Sequence, residues 1–230
     1  MSEPGLDDVL EEFLDKWRGR WPEWRIARTF VPAAQHADAE AWFALLQEWT
    51  DAAWTGADPT PGLAKLAWWQ EELRGWATGL RRHPLGRTLQ KCPAPWAAVA
   101  DALPALASVR DALAVDMHAA TAIARLRPLA AAIARSEAAL FGDAAIAVDD
   151  ASVDVFPLLA VHALWPREAA VDASRAWART APAPRRAGTR PRRVLDALAH
   201  ARLARLGDAG EVVPLSPARA LWTGWRAARG

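Results

Sequence analysis

The sequence predicts an all-α fold, and three observations carry the prediction. Ala, Leu and Arg, all good helix formers, dominate the composition. Val and Ile are scattered and never form the apolar–polar alternation of a strand. Apolar residues instead recur at three- and four-residue steps through most of the chain, and Pro and Gly fall between the periodic stretches.

In chain order, the first helix starts at Pro4 and carries Leu6, Val9, Leu10, Phe13, Leu14 and Trp17 on one side, with Asp7 and Asp8 at its positive end and Gly19 as its stop. A connector follows in which Pro22 and Pro32 limit helix continuation. The next helix is expected from about Asp38, its cap, to Trp54, with Trp42, Leu45, Leu46, Trp49 and Ala53 inward. Residues 55–62 form a turn. Beyond it, Leu63, Leu66, Trp69, Leu73, Trp76 and Leu80 mark a long helical stripe that His83-Pro84 ends.

The segment Trp96 to Met117 carries Val99, Leu103, Leu106, Val109 and Leu113, with a kink expected at Pro104. A further helix reaches Phe141 through Ile123, Leu126, Leu129, Ile133 and Leu140, interrupted by Pro128 and stopped by Gly142. Asp149, Asp150, Ser152 and Asp154 precede the apolar run Val155 to Leu164 and suit capping better than metal binding. Ala181 to Arg193 is a proline- and arginine-rich stretch that reads as an exposed loop; its five arginines suit a diphosphate or an anionic lipid surface, or simply solvent. Helices from Pro191 to Leu206 and from Ser216 to Arg229, the latter with Leu221, Trp222 and Trp225, complete the bundle.

At 52% hydrophobic, 230 residues suffice for one sizeable core, so a single domain over 1–230 is expected. Lys and Arg total 28 against 27 Asp and Glu, a balance that gives no general reason for nucleic-acid binding. One cysteine, Cys92, makes no intrachain disulfide, and the start Met-Ser-Glu-Pro-Gly lacks a basic and apolar leader. The expected location is the cytoplasm, with contact to the inner face of a membrane left open. No uninterrupted apolar run approaches the roughly 18 residues of a membrane span. Fourteen Trp and no Tyr point to a core built around indoles.

Function enters through the stripe that begins at Leu63. Beside it, Lys65, Trp68 and Glu72 share a neighbouring face at three- and four-residue steps, which suits either a cavity wall or a solvated flank with a snorkelling lysine. The string Lys65-Leu66-Ala67-Trp68-Trp69, with Glu71-Glu72-Leu73, His83-Pro84 and Arg87 to Leu89, resembles a segment of the squalene and phytoene synthase family. Phe30, Pro32 and the helix from Ala41 to Trp54 are similar to the part of that family that precedes it. The likeness is specific over about residues 25–90.

The resemblance implies an isoprenoid synthase (terpenoid synthase) helical fold, prenyl diphosphate substrates and magnesium held by two aspartate-rich motifs. It places Trp49, Lys65, Trp68, Trp69, His83 and Arg87 at the substrate. It places Glu48, Asp51 and Glu72 among catalytic candidates, and Asp51, Glu168 and Asp172 among metal ligands. The motifs themselves are eroded. Ala44 to Trp54 keeps Glu48 and Asp51 but has Thr50 and Trp54 where the family has aspartates and Gln47 where it has arginine; after Leu164 neither the Arg-Asp pair nor the Glu-Asp pair of the second motif recurs, and Arg167, Glu168 and Asp172 stand as its displaced remnant. Magnesium needs an array of oxygen ligands, and an indole in place of a carboxylate removes one.

The expected protein is therefore a catalytically degenerate relative, a pseudoenzyme without a cofactor, that binds a prenyl or other lipid chain or serves as an accessory or assembly protein with a protein partner. One rival is a magnesium-dependent prenyltransferase that uses Glu48, Asp51, Glu72, Glu168 and Asp172 as its clamp, with Lys65 and Arg87 on the phosphates. A second rival is a membrane-surface scaffold using the arginine loop. Gly-rich phosphate loops and paired nucleophile–base motifs are absent from the sequence. The histidines His36, His83, His118, His162 and His200 lack the spacing of a helical zinc site.

Overall fold

A computed structural model describes residues 6–142, 153–206 and 211–229, with side chains from residue 8 onward. Asp149, Asp150 and Ser152 lie outside the described residues. The fold is all-α, and no strand occurs among the described residues. The major helices are α1 (Leu6–Arg20), α3 (His36–Trp54), α4 (Thr60–Ala77), α9 (Ala120–Phe141), α10 (Phe156–Leu164), α11 (Val171–Thr180), α12 (Arg190–Leu203) and α13 (Pro217–Arg229). Shorter helical turns α2 (Trp24–Ala27), α5 (Gly86–Leu89), α6 (Trp96–Ala102), α7 (Ala105–Ser108) and α8 (Arg110–Val115) link them.

Helix α3 is the axis of the bundle. It is buried on nearly every side, from Ala39 to Trp54, because α1, α4, α7 and α10 pack around it. Its buried carboxylates Glu40 and Glu48 are tolerated there because cations pair with them. Its C-terminal carbonyls are capped from a distance: Arg110 donates to the oxygens of Ala53 (2.9 Å), Thr55 (3.2 Å) and Gly56. A guanidinium suits that negative helix end.

The indole-rich core takes a definite form. Trp42 and Trp49 of α3, Trp69 and Trp76 of α4, and Trp96 of α6 close a ring of edge-to-face and tilted contacts, with successive centroids 6.0, 6.3, 6.3, 5.0 and 6.1 Å apart. Seven-residue spacing on both long helices brings the indoles to one seam. Edge-to-face geometry adds to burial, on the order of 1 kcal/mol per pair.

Several expected boundaries shift. The stripe on α4 buries Leu66, Trp69, Leu73 and Trp76, but Leu63 and Leu80 are exposed. Helix α4 ends at Ala77, before His83-Pro84, because Gly79 takes the left-handed conformation at φ 88° and turns the chain back. Helix α1 runs through Gly19 to Arg20, and α3 begins at His36, so Asp38 lies inside its first turn instead of capping it. The helix expected from Trp96 to Met117 is broken into α6, α7 and α8, a larger effect than a kink at Pro104. Pro128, by contrast, is accommodated within α9. Asp154 does serve the start of α10: its Oδ1 accepts from the backbone N–H of Phe156 at 2.9 Å.

One correction and one further finding concern the C-terminal third. Arg192, read as part of the exposed loop, is buried in the first turn of α12. It binds Glu137 of α9 (2.5–3.1 Å) and Asp196 (3.2 Å), and Trp42 donates to the same Glu137 at 2.8 Å. In α13 it is Ala220 and Gly224 that face inward, while Leu221, Trp222 and Trp225 are exposed. A Cβ on Gly224 would lie 3.0 Å from the Phe30 ring and 3.1 Å from the Ala27 methyl, so the absent side chain is what lets α13 seat on α2.

Candidate functional site

Glu48 and Asp51, singled out in the sequence, lie where α1, α3 and α4 meet, and the structure shows what holds these carboxylates. Glu48 and Asp51, one turn apart on α3, face α1, where Lys16 and Arg20 are also one turn apart. Lys16 Nζ donates to Glu48 at 2.8 Å and lies 3.3 Å from Asp51. Arg20 grips Asp51 with two nitrogens, at 2.7 and 3.0 Å. From the other flank Lys65 of α4 donates to the second oxygen of Glu48 at 2.5 Å. Two carboxylates thus face three cations of the chain itself.

The Glu48 side chain is only 3% exposed, whereas Lys16 and Lys65 are 48% and 45% exposed. Burial works against its charge, but hydrogen bonds and attraction from Lys16 and Lys65 prevail and hold its carboxyl below the ordinary range. Burial also opposes the charge on Lys16, yet its acidic partners raise its pKa. Ammonium and guanidinium groups occupy the lone pairs a divalent ion would use.

Glu72 is committed elsewhere. Its carboxylate accepts from the Trp76 indole (2.8 Å), the Arg82 backbone (2.6 Å) and side chain (2.9 Å), and the His83 backbone (2.8 Å). These donors outweigh its burial and lower its pKa. Glu72 therefore fixes the turn after α4, which carries His83 into an aromatic cage: Trp69 at 4.5 Å, Phe13 at 4.6 Å and Trp68 at 5.9 Å. Burial there lowers the His83 pKa to about 4, so the ring is neutral at physiological pH. Of this face, Glu72 is buried under the turn, Trp68 is half-buried and Lys65 stays exposed at 45%.

The remaining sequence candidates scatter. Trp49 and Trp69 are buried in the indole ring, Trp68 is half-buried under the Arg82 guanidinium, and Arg87 is exposed on α5. Glu168, just before α11, and Asp172, in its first turn, are exposed, and Asp172 lies 4.0 Å from Arg175. Among the described residues no group of three or more His, Cys, Asp or Glu side chains is placed to hold a metal ion.

A second polar cluster escaped the sequence reading. Glu137, Arg192 and Asp196 line a cavity of ≈270 Å³ between α9, α10 and α12. Burial pushes the Asp196 pKa up to about 7, Arg192 opposing and Glu137 reinforcing the shift. Ile133, Pro157 and Arg192 also border a second void of only ≈40 Å³, lined further by Trp17, Trp21, Phe43 and Trp165. Aromatic rings close this inner space. The only sequence sign was the tryptophan count.

No family model, curated protein or solved structure matches the chain.

Proposed function

We propose that this chain is a squalene/phytoene synthase-like helical protein that has lost catalysis and works as an accessory protein, binding a partner or a lipid surface. The observation that carries this reading is the Lys16–Glu48–Lys65 and Arg20–Asp51 pairing. The carboxylates that survive from the first acidic motif are neutralised within the chain.

A prenyl transferase must neutralise a diphosphate leaving group with metal and shield a carbocation from water. Free carboxylates are needed for the first task and an apolar tunnel for the second. The ≈40 Å³ inner void has no room for a prenyl chain, which favours an accessory role over that of a buried-lipid carrier. Thr50 and Trp54 support the same reading: the Thr50 hydroxyl bonds back to the carbonyls of Leu46 and Gln47, both at 3.1 Å, and the Trp54 indole bonds the Leu106 carbonyl at 2.9 Å. Both side chains now serve packing.

The test is incubation with prenyl diphosphates and Mg²⁺, following pyrophosphate release. The proposal expects none above a buffer control. Turnover that is abolished by Asp51→Asn would establish the transferase instead.

A further inference from the structure

A groove of ≈650 Å³ runs between α12, α13 and the segment 183–186, far from the acidic pairs of α3 in both sequence and surroundings. Arg186, Arg193, Arg219 and Arg226 line it together with His200 and Trp222. None of these four arginines forms an ion pair with a carboxylate among the described residues, although the chain as a whole is balanced to a net charge of +1. Four cationic side chains thus share one groove. Arg193 spends its donors on the backbone carbonyls of Gly188 (2.8 Å) and Ala227 (3.4 Å), which anchors it at the groove floor.

The rim is apolar. On α13 the inward positions are Ala220 and Gly224, so the helix turns Leu221, Trp222 and Trp225 outward at 48%, 60% and 37% exposure, with Val213 exposed just upstream. Trp222 and Trp225 lie 4.9 Å apart as a pair, and Arg229 stands over Trp225 at 4.6 Å. Most of the other indoles are buried, so this pair stands apart from the use the chain otherwise makes of tryptophan.

From this juxtaposition we infer that α13 and the arginine groove form a docking surface for an anionic phospholipid bilayer. Charge complementarity chooses the occupant: unpaired guanidiniums fit phosphate headgroups, often with two parallel hydrogen bonds. Tryptophan pairs prefer the boundary between headgroup and acyl chain, where the ring is apolar and its N–H stays wet. An amphipathic helix carrying both lies in the plane of the membrane. Among the described residues no helix is long and apolar enough to cross one, so the contact is superficial.

Flotation of the full chain with two vesicle types tests the inference: phosphatidylcholine alone, and phosphatidylcholine with phosphatidylglycerol in equal parts. Binding is expected only to the anionic vesicles and is expected to fall as salt rises. Arg219→Ala combined with Arg226→Ala should weaken partition by about thirty-fold. Trp222→Ala combined with Trp225→Ala should also weaken it, while the residual binding keeps its salt dependence. All four side chains are exposed, so unchanged circular dichroism confirms that the variants fold. Equal binding to both vesicle types, no binding to either, or an arginine variant that behaves as the parent overturns the inference, as does capture of an acidic protein or nucleic acid without vesicles. The pyrophosphate assay does not involve α13, so this surface and the loss of catalysis stand or fall separately.

Discussion

Replacing Lys16 and Lys65 together by Met leaves Glu48 buried without a cation while keeping the bulk of both stems. Hydrogen bonds to charged groups contribute about 1.5–3 kcal/mol each, and stripping the partners from a buried carboxylate costs about 3–5 kcal/mol. Both ammonium groups are nearly half exposed, so solvent screening reduces the loss to about 2–4 kcal/mol for the pair. For a domain of this size that corresponds to a fall in Tm of about 4–16 °C.

The pH dependence carries a further signature. In the parent, the lowered Glu48 pKa contributes stability that is present above the unfolded carboxyl value and is lost as pH falls through the folded one. In the double variant burial acts unopposed and the pKa rises, so the sign reverses. The deficit should be largest near neutrality and shrink as pH falls toward about 4, where the carboxyl is protonated. Urea unfolding followed by circular dichroism across that range measures it. A variant as stable as the parent at neutral pH, or a deficit that does not change with pH, would refute the assignment of these lysines as the partners of Glu48.

Three further outcomes follow from the same structure. Gly62→Ala should destabilise by about 1–3 kcal/mol or more in thermal unfolding, because its Cβ would come within 1.9 Å of the Ala52 carbonyl oxygen where α4 crosses the end of α3. Glu72→Ala should release the turn at Arg82–His83, leaving two backbone N–H groups without their acceptor at about 1–3 kcal/mol each; faster amide exchange confined to residues 78–85 would report it. His83 and His162 both have pKa values lowered to about 4 by burial, so stability is present above about 6.5 and is lost as pH falls from there toward 4; His162→Phe should flatten that acid slope in urea titrations.

How far the sequence was legible depends on the range of the interaction. The helical periodicity of Leu66, Trp69, Leu73 and Trp76 is local, and it located the buried face of α4 directly. Leu63 and Leu80 extend the same rhythm but fall at the frayed ends, where a period gives no stop signal. Glu48 and Asp51 stand out as an acidic pair at i, i+3, while the Lys16 and Arg20 pair at i, i+4 was not singled out. Nothing local says that the two stripes face each other across 32 residues. The same holds for Arg192, whose loop-like composition concealed a helix start: Pro191 was read correctly as a first-turn residue, but the buried Glu137 opposite it was out of reach of spacing. The facing of Trp222 and Trp225 was not legible for a different reason. Tryptophan usually goes inward, and on α13 the small residues Ala220 and Gly224 take that position instead.

The most direct test of the central claim is calorimetric titration of Mg²⁺ into the full chain in the presence of farnesyl thiodiphosphate, a substrate analogue that resists ionisation. With Glu48 and Asp51 held by Lys16, Lys65 and Arg20, the titration should show no saturable heat. Stoichiometric Mg²⁺-dependent binding of the analogue that disappears in Glu48→Gln would contradict the account, because it would show the carboxylates exchanging their internal cations for metal.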